Sequence, residues 1–154
     1  MPPNEVTLLK LIWHPDHVDD TGVYVKPTAF RKEDLTGQNG SHVSVDRSDL
    51  AERQCMEALA TKQAEKANGQ EIIREQAKIG RLSCDAVRNS EHEGIKLFSV
   101  SPVFEEGNPA HCGIHSNIQA PKRAILDQMR GRLAKLASPP VNFDEAYPED
   151  AKAK

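Results

Sequence analysis

The sequence predicts an α+β fold, a mostly antiparallel sheet with two main helices packed on one face. Three observations carry that expectation. Apolar or alternating runs of strand length recur at 6–13, 42–47, 82–86, 95–100 and 110–116. Apolar residues take clear helical spacing in two segments, one after Asp49 and one after Pro121. Links such as 89–94 suit hairpins, and the chain has too few helical crossovers for a parallel sheet. At 154 residues the chain fits one domain. That domain is expected over 1–140, followed by an acidic, alanine-rich and mobile tail at 141–154.

Each element has its own reason. Residues 6–13 are an apolar strand, stopped at His14-Pro15-Asp16-His17 because proline cannot donate to a ladder and restricts its predecessor. Residues 23–25 form a brief extended piece after the turn at Asp19-Asp20-Thr21-Gly22. Gly37-Gln38-Asn39-Gly40-Ser41 is a loop by composition. In 42–47, Val43 and Val45 share one face of a half-buried strand. Asp49 can cap the next helix, with Glu52 completing an acidic capping box. Leu50, Ala51, Cys55, Ala58 and Leu59 make its inward face, and Asn68-Gly69 its stop. A further helical turn or two is expected over 71–78, ending at Gly80. Leu82, Cys84 and Ala86 alternate as a strand, as do residues of 95–100 after the polar turn 89–94. Residues 101–109 are a loop. Pro121 opens the last helix, whose buried stripe is Ile125, Leu126, Met129, Leu133 and Leu136.

Composition narrows the function. Apolar residues make 38% and charged residues 28% of the chain, which is globular rather than disordered. The net charge of −3 argues against free-standing nucleic-acid binding. One Trp, two Tyr and four Phe supply few stacking platforms. No run of 18 apolar residues exists to span a membrane, and Met1-Pro2-Pro3-Asn4-Glu5 does not begin a secretory signal. Cys55, Cys84 and Cys112 then read as reduced thiols of a cytoplasmic protein.

The densest chemistry lies in Asn108-Pro109-Ala110-His111-Cys112-Gly113-Ile114-His115. If extended, this segment turns Ala110, Cys112 and Ile114 inward and His111, Gly113 and His115 outward, with the two histidine Cα atoms about 13 Å apart. If helical from Asn108, it stacks the imidazoles as a metal-binding His-x-x-x-His pair. Alternation and the poor helix propensity of Gly113 favour the strand, and no metal or cofactor is expected. His14 and His17 read as a polar strand exit, and His42 and His92 as solvated loop residues. Arg47 at a strand end could clamp a phosphate or carboxylate. Its ordinary use is an ion pair with Asp46, Asp49 or Glu52. His111 and Cys112 point to opposite faces of a strand, which weakens a thiol–imidazole dyad. Neither a glycine-rich phosphate loop nor a nucleophile elbow occurs. The last helix is basic and solvated, with Lys122, Arg123, Arg130, Arg132 and Lys135 against Asp127.

The stretches Ser44-Val45-Asp46-Arg47 and Asn108-Pro109-Ala110-His111 resemble those of small uncharacterised bacterial α+β proteins. That resemblance implies a bacterial cytosolic origin and carries no catalytic assignment.

These readings leave the choice between enzyme and binding protein to the structure. The first expectation is a non-catalytic interaction or regulatory protein with a protein partner, docking by a strand edge or the basic helix. The rival is a small hydrolase or transferase on a phosphate-containing substrate. In it His111 is the acid/base, Arg47 the anion clamp and His115 or His14 a second proton carrier. A third is metal binding through His111 and His115.

Overall fold

A computed structural model describes residues 2–13, 16–66 and 77–147. Its strands are β1 (Thr7–Trp13), β2 (Val43–Arg47), β3 (Ala77–Ser83), β4 (Glu91–His92), β5 (Ile95–Lys96), β6 (Phe98–Pro102) and β7 (His111–Ser116). The helices are α1 (Arg53–Lys66), α2 (Cys84–Arg88), α3 (Arg123–Leu136) and α4 (Phe143–Ala146), with two 3-10 turns at Pro27–Ala29 and Lys32–Leu35. Five strands make an antiparallel sheet of order β3-β1-β2-β7-β6, and β4 and β5 pair separately as a hairpin. The chain is α+β, as its sequence predicts.

β1 explains the layering. It buries Leu8 and Ile12 on one side and Leu9, Leu11 and Trp13 on the other. A strand apolar on both sides needs cover on both. The two main helices therefore divide between the faces instead of sharing one. α3 brings Met129, Leu133 and Ala134 onto Leu8, Ile12, Val45 and Ile114. α1 brings Met56 and Ala60 onto Leu9, Leu11, Trp13 and Ile79 on the opposite face.

Several local expectations are corrected. Asp49 pairs with Arg47 rather than capping a helix, and α1 begins at Arg53 with Met56 and Ala60 as its buried residues; Leu50 and Ala58 are exposed. The strand expected at 82–86 ends at Ser83, whose hydroxyl accepts from Ala86 N at 3.2 Å and starts α2. Gly80 is inside β3, where a Cβ would meet Ile12 Cγ1 at 3.0 Å. Residues 77–78 are strand rather than helix; Asn68, Gly69 and 71–76 lie outside the described residues. Val25 makes an isolated bridge to Val18.

The segment expected as a mobile tail starts with packed residues. Val141 exchanges two backbone hydrogen bonds with Ile79 at 2.8 and 2.9 Å. Asn142 caps α4 through Glu145 N, and Tyr147 is buried beside α1's core. Arg53 ties α4 down through Asp144 at 2.6 Å. Both sheet edges are thereby engaged, since Arg88 donates to Val100 O of β6 at 3.1 Å. Among the described residues no helix is long and apolar enough to cross a membrane.

Candidate functional site

β7 is extended, and its alternation is the one read from sequence. Ala110, Cys112 and Ile114 are fully buried while His111 and His115 turn to the other face. In register, His111 lies opposite Asp46 of β2, and Gly113 lies between Ser44 and Ser101. α1 covers the β3–β1 half of this face. The β2–β7–β6 half carries polar side chains instead: Ser44, Asp46, Ser99, Ser101, His111 and His115.

His42, expected to be a solvated loop residue, occupies the gap between the two strand histidines. Its ring centroid lies 5.7 Å from that of His111 and 5.6 Å from that of His115. The glycine of the motif makes this possible. A Cβ at Gly113 would stand 2.8 Å from His42 Cβ, 2.9 Å from His42 Cγ and 3.0 Å from His115 Nε2. Strand geometry alone keeps His111 and His115 apart, but a third imidazole links them.

Hydrogen bonds fix the tautomers. A carbonyl oxygen can only accept, so His111 Nδ1 donates to Val103 O at 3.0 Å and His42 Nδ1 to Gly40 O at 2.9 Å. Both Nε2 atoms are then free as acceptors when the rings are neutral. His115 Nε2 meets Ser101 Oγ at 3.0 Å. Burial pushes His115 below the usual imidazole range, and His42 adds to that. Elsewhere, His17 accepts from Trp13 N at 3.0 Å and is held down at about 4, first by burial and then by Lys10.

The loop 103–110 carries the rest of the site. Gly107 turns it at φ +80. Asn108 is buried; its Oδ1 accepts from Ala110 N at 3.2 Å and its Nδ2 donates to Asp46 Oδ1 at 3.1 Å. Glu105 Oε2 comes within 3.4 Å of His111 Nδ1. Asp46 is only 4% exposed, and burial pushes its carboxyl above the usual range. The Asn108 hydrogen bond and the His111 charge oppose that shift, whereas Glu105 reinforces it.

Two cavities border these residues. A pocket of about 40 Å³ is bordered by Asp46, Cys55, Gln63, Glu105, Asn108 and His111 among others. A groove of about 570 Å³ runs past Val103, Phe104, Glu105, Asn108, Pro109 and His111. They share Glu105, Asn108 and His111. Phe104, at 92% exposure, stands at the rim.

Comparison with protein-family models, with curated proteins and with solved structures found no match.

Arg47 is not part of this cleft. It follows Asp46 in β2 and so faces the α3 side, where its guanidinium grips Asp49 at 2.8 and 2.6 Å. His14 lies outside the described residues. Cys55 borders the pocket, but burial raises its thiol, as it does Cys84 and Cys112, which disfavours a thiolate nucleophile. Among the described residues, no three His, Cys, Asp or Glu side chains are arranged to hold a metal ion. Sequence reasoning missed His42 and the burial of Asp46. Alternation with Val43 and Val45 does turn Asp46 to the outer face, but only the β2–β7 pairing sets it beside His111.

Proposed function

We propose that this chain is a small bacterial cytoplasmic recognition domain without catalysis of its own, taking its partner in the cleft at His111. The observation that carries the reading is the pair of cavities sharing Glu105, Asn108 and His111, with Phe104 exposed at the rim. A mostly apolar groove with a few convergent polar groups is the usual form of a ligand site. Docking through a strand edge loses support, because Val141 and Arg88 already engage β3 and β6. The test is partner capture by wild type, Phe104→Ser, His111→Ala and, on the far helix, Arg132→Ala. The reading expects capture to fail with the two cleft variants and survive in Arg132→Ala. Equal capture by all four would refute it.

A second reading, His111 as a proton carrier, draws on its Nδ1 anchor at Val103 O, which leaves Nε2 as the ring's acceptor in a residue that borders both cavities. A phosphate substrate fits poorly, since Arg47 is turned away and two carboxylates stand in its place. Turnover abolished by His111→Gln with the fold intact would favour this reading; unchanged turnover would exclude it.

A further inference from the structure

Asp46 is the only buried carboxylate among the described residues. Among the described residues its one hydrogen bond is from the neutral amide of Asn108 to Oδ1, and no Lys or Arg pairs with it. Lys10 borders the same pocket, but its ammonium donates to Leu11 O at 3.4 Å and feels Asp34 rather than Asp46. A buried charge without a partner is costly, so one that persists needs a reason.

The other polar atoms at the pocket sharpen the question. Glu105 brings a second carboxylate, and His111 presents a lone pair at Nε2 once Nδ1 donates to Val103. Gln63 Oε1 is occupied by Trp13 Nε1 at 2.7 Å, and Cys55 Sγ by Gly107 O at 3.5 Å. Asp46, Glu105 and His111 Nε2 offer acceptors on the same side, whereas Lys10 and the Gln63 amide offer donors. The complement of those acceptors is a compact group with several N–H donors and a positive charge. The pocket is small, about 40 Å³, which suits a compact polar head. Beyond it, Val103, Phe104 and Pro109 offer apolar walls.

We infer that the pocket beneath His111 receives a primary alkylammonium group. Its nitrogen would be held by Asp46, Glu105 and His111 Nε2, and its methylene stem would lie in the groove along Val103, Phe104 and Pro109. The inference rests on the cleft reading above and names the ligand chemistry of that cleft. The same chemistry comes from a lysine side chain of a partner protein or from a free diamine. Asp46 and Glu105 complement either one, and no covalent step is involved.

The test is a titration followed by amide chemical shifts, with three probes. They are Nα-acetyl-lysine N-methylamide, its Nε-acetylated neutral counterpart and 1,4-diaminobutane. Saturable shifts centred on Glu105, Asn108 and His111 are expected with the two amines, at roughly millimolar affinity for such small probes. The acetylated probe should bind at least about tenfold more weakly, and so should the lysine probe on Asp46→Asn. Tighter binding of the lysine probe identifies a side chain as the source, and tighter binding of the diamine a free ligand. Glu105→Gln, on the exposed loop, gives a second and independent variant, and it too should weaken the amines. Equal binding of the acetylated probe, or indifference to both variants, would overturn the inference. Partner capture lost in Phe104→Ser beside amine binding indifferent to Asp46→Asn would leave the cleft and remove the ammonium.

Discussion

Replacing Gly113 by alanine tests the histidine cluster through the sign of a stability change. Glycine within a strand is ordinarily worse than alanine by about 0.5–1 kcal/mol, so an unobstructed Gly113→Ala would stabilise. Here the new methyl would stand 2.8 Å from His42 Cβ and 2.9 Å from Cγ, and 3.0 Å from His115 Nε2. The first contact is with the root of a side chain, so His42 cannot swing away without its backbone shifting. Overpacking of this kind costs about 1–3 kcal/mol. The expected net loss is about 1–2 kcal/mol, a fall in Tm of roughly 3–6 °C for a chain of this size. Denaturant unfolding gives the first number and a thermal melt the second. Imidazole resonances of His42, His111 and His115 should move together in the variant. A variant more stable than wild type, with those resonances unmoved, would refute the placement of His42 over Gly113.

Other outcomes follow from the same structure. Gly131→Ala in α3 meets no atom within 4 Å and should stabilise by about 1 kcal/mol, read as a higher denaturation midpoint. Leu133→Ala empties a fully buried position between α3 and the sheet and should cost about 2–5 kcal/mol in urea unfolding. Asp46→Asn should stabilise the ligand-free protein at neutral pH by about 1–3 kcal/mol, because it removes a buried charge and can keep the Asn108 hydrogen bond. That gain has a defined pH dependence. The folded carboxyl has a raised pKa, so its ionisation penalty is absent below the ordinary value of 3.8 and complete only above the folded value. The stability difference between variant and wild type should therefore open as pH rises from 3.8, and a difference constant with pH would be evidence against it.

The strands at 6–13, 42–47 and 110–116 were legible because local chemistry specifies them: both-sided apolarity, alternation, and proline at an exit. The inward set Ala110, Cys112 and Ile114 followed from the same alternation. What the sequence hid was long-range. Nothing local tells that β1 divides the helices between two faces, although its apolar residues at both parities were the clue. Ser83 capping α2 competed with an equally good strand pattern through Ala86 and won by one side-chain hydrogen bond. At the site, Arg47 and His111 looked like partners by residue type, but one step along β2 put the guanidinium on the far face. His42 looked solvated because its neighbours are small and polar. Only the pairing of Val43 with Ile114 brings it across Gly113.

The claim on which the ammonium pocket and the pH dependence both rest is that Asp46 is a buried carboxylate with no described Lys or Arg paired to it. A carbon-detected titration of the Asp46 side-chain carboxyl, in folded protein free of amines, tests it directly. The midpoint should lie above the ordinary 3.8 and fall when an alkylammonium probe is added. A midpoint at or below that value in the free protein would mean that a positive group already reaches Asp46, and would contradict the account.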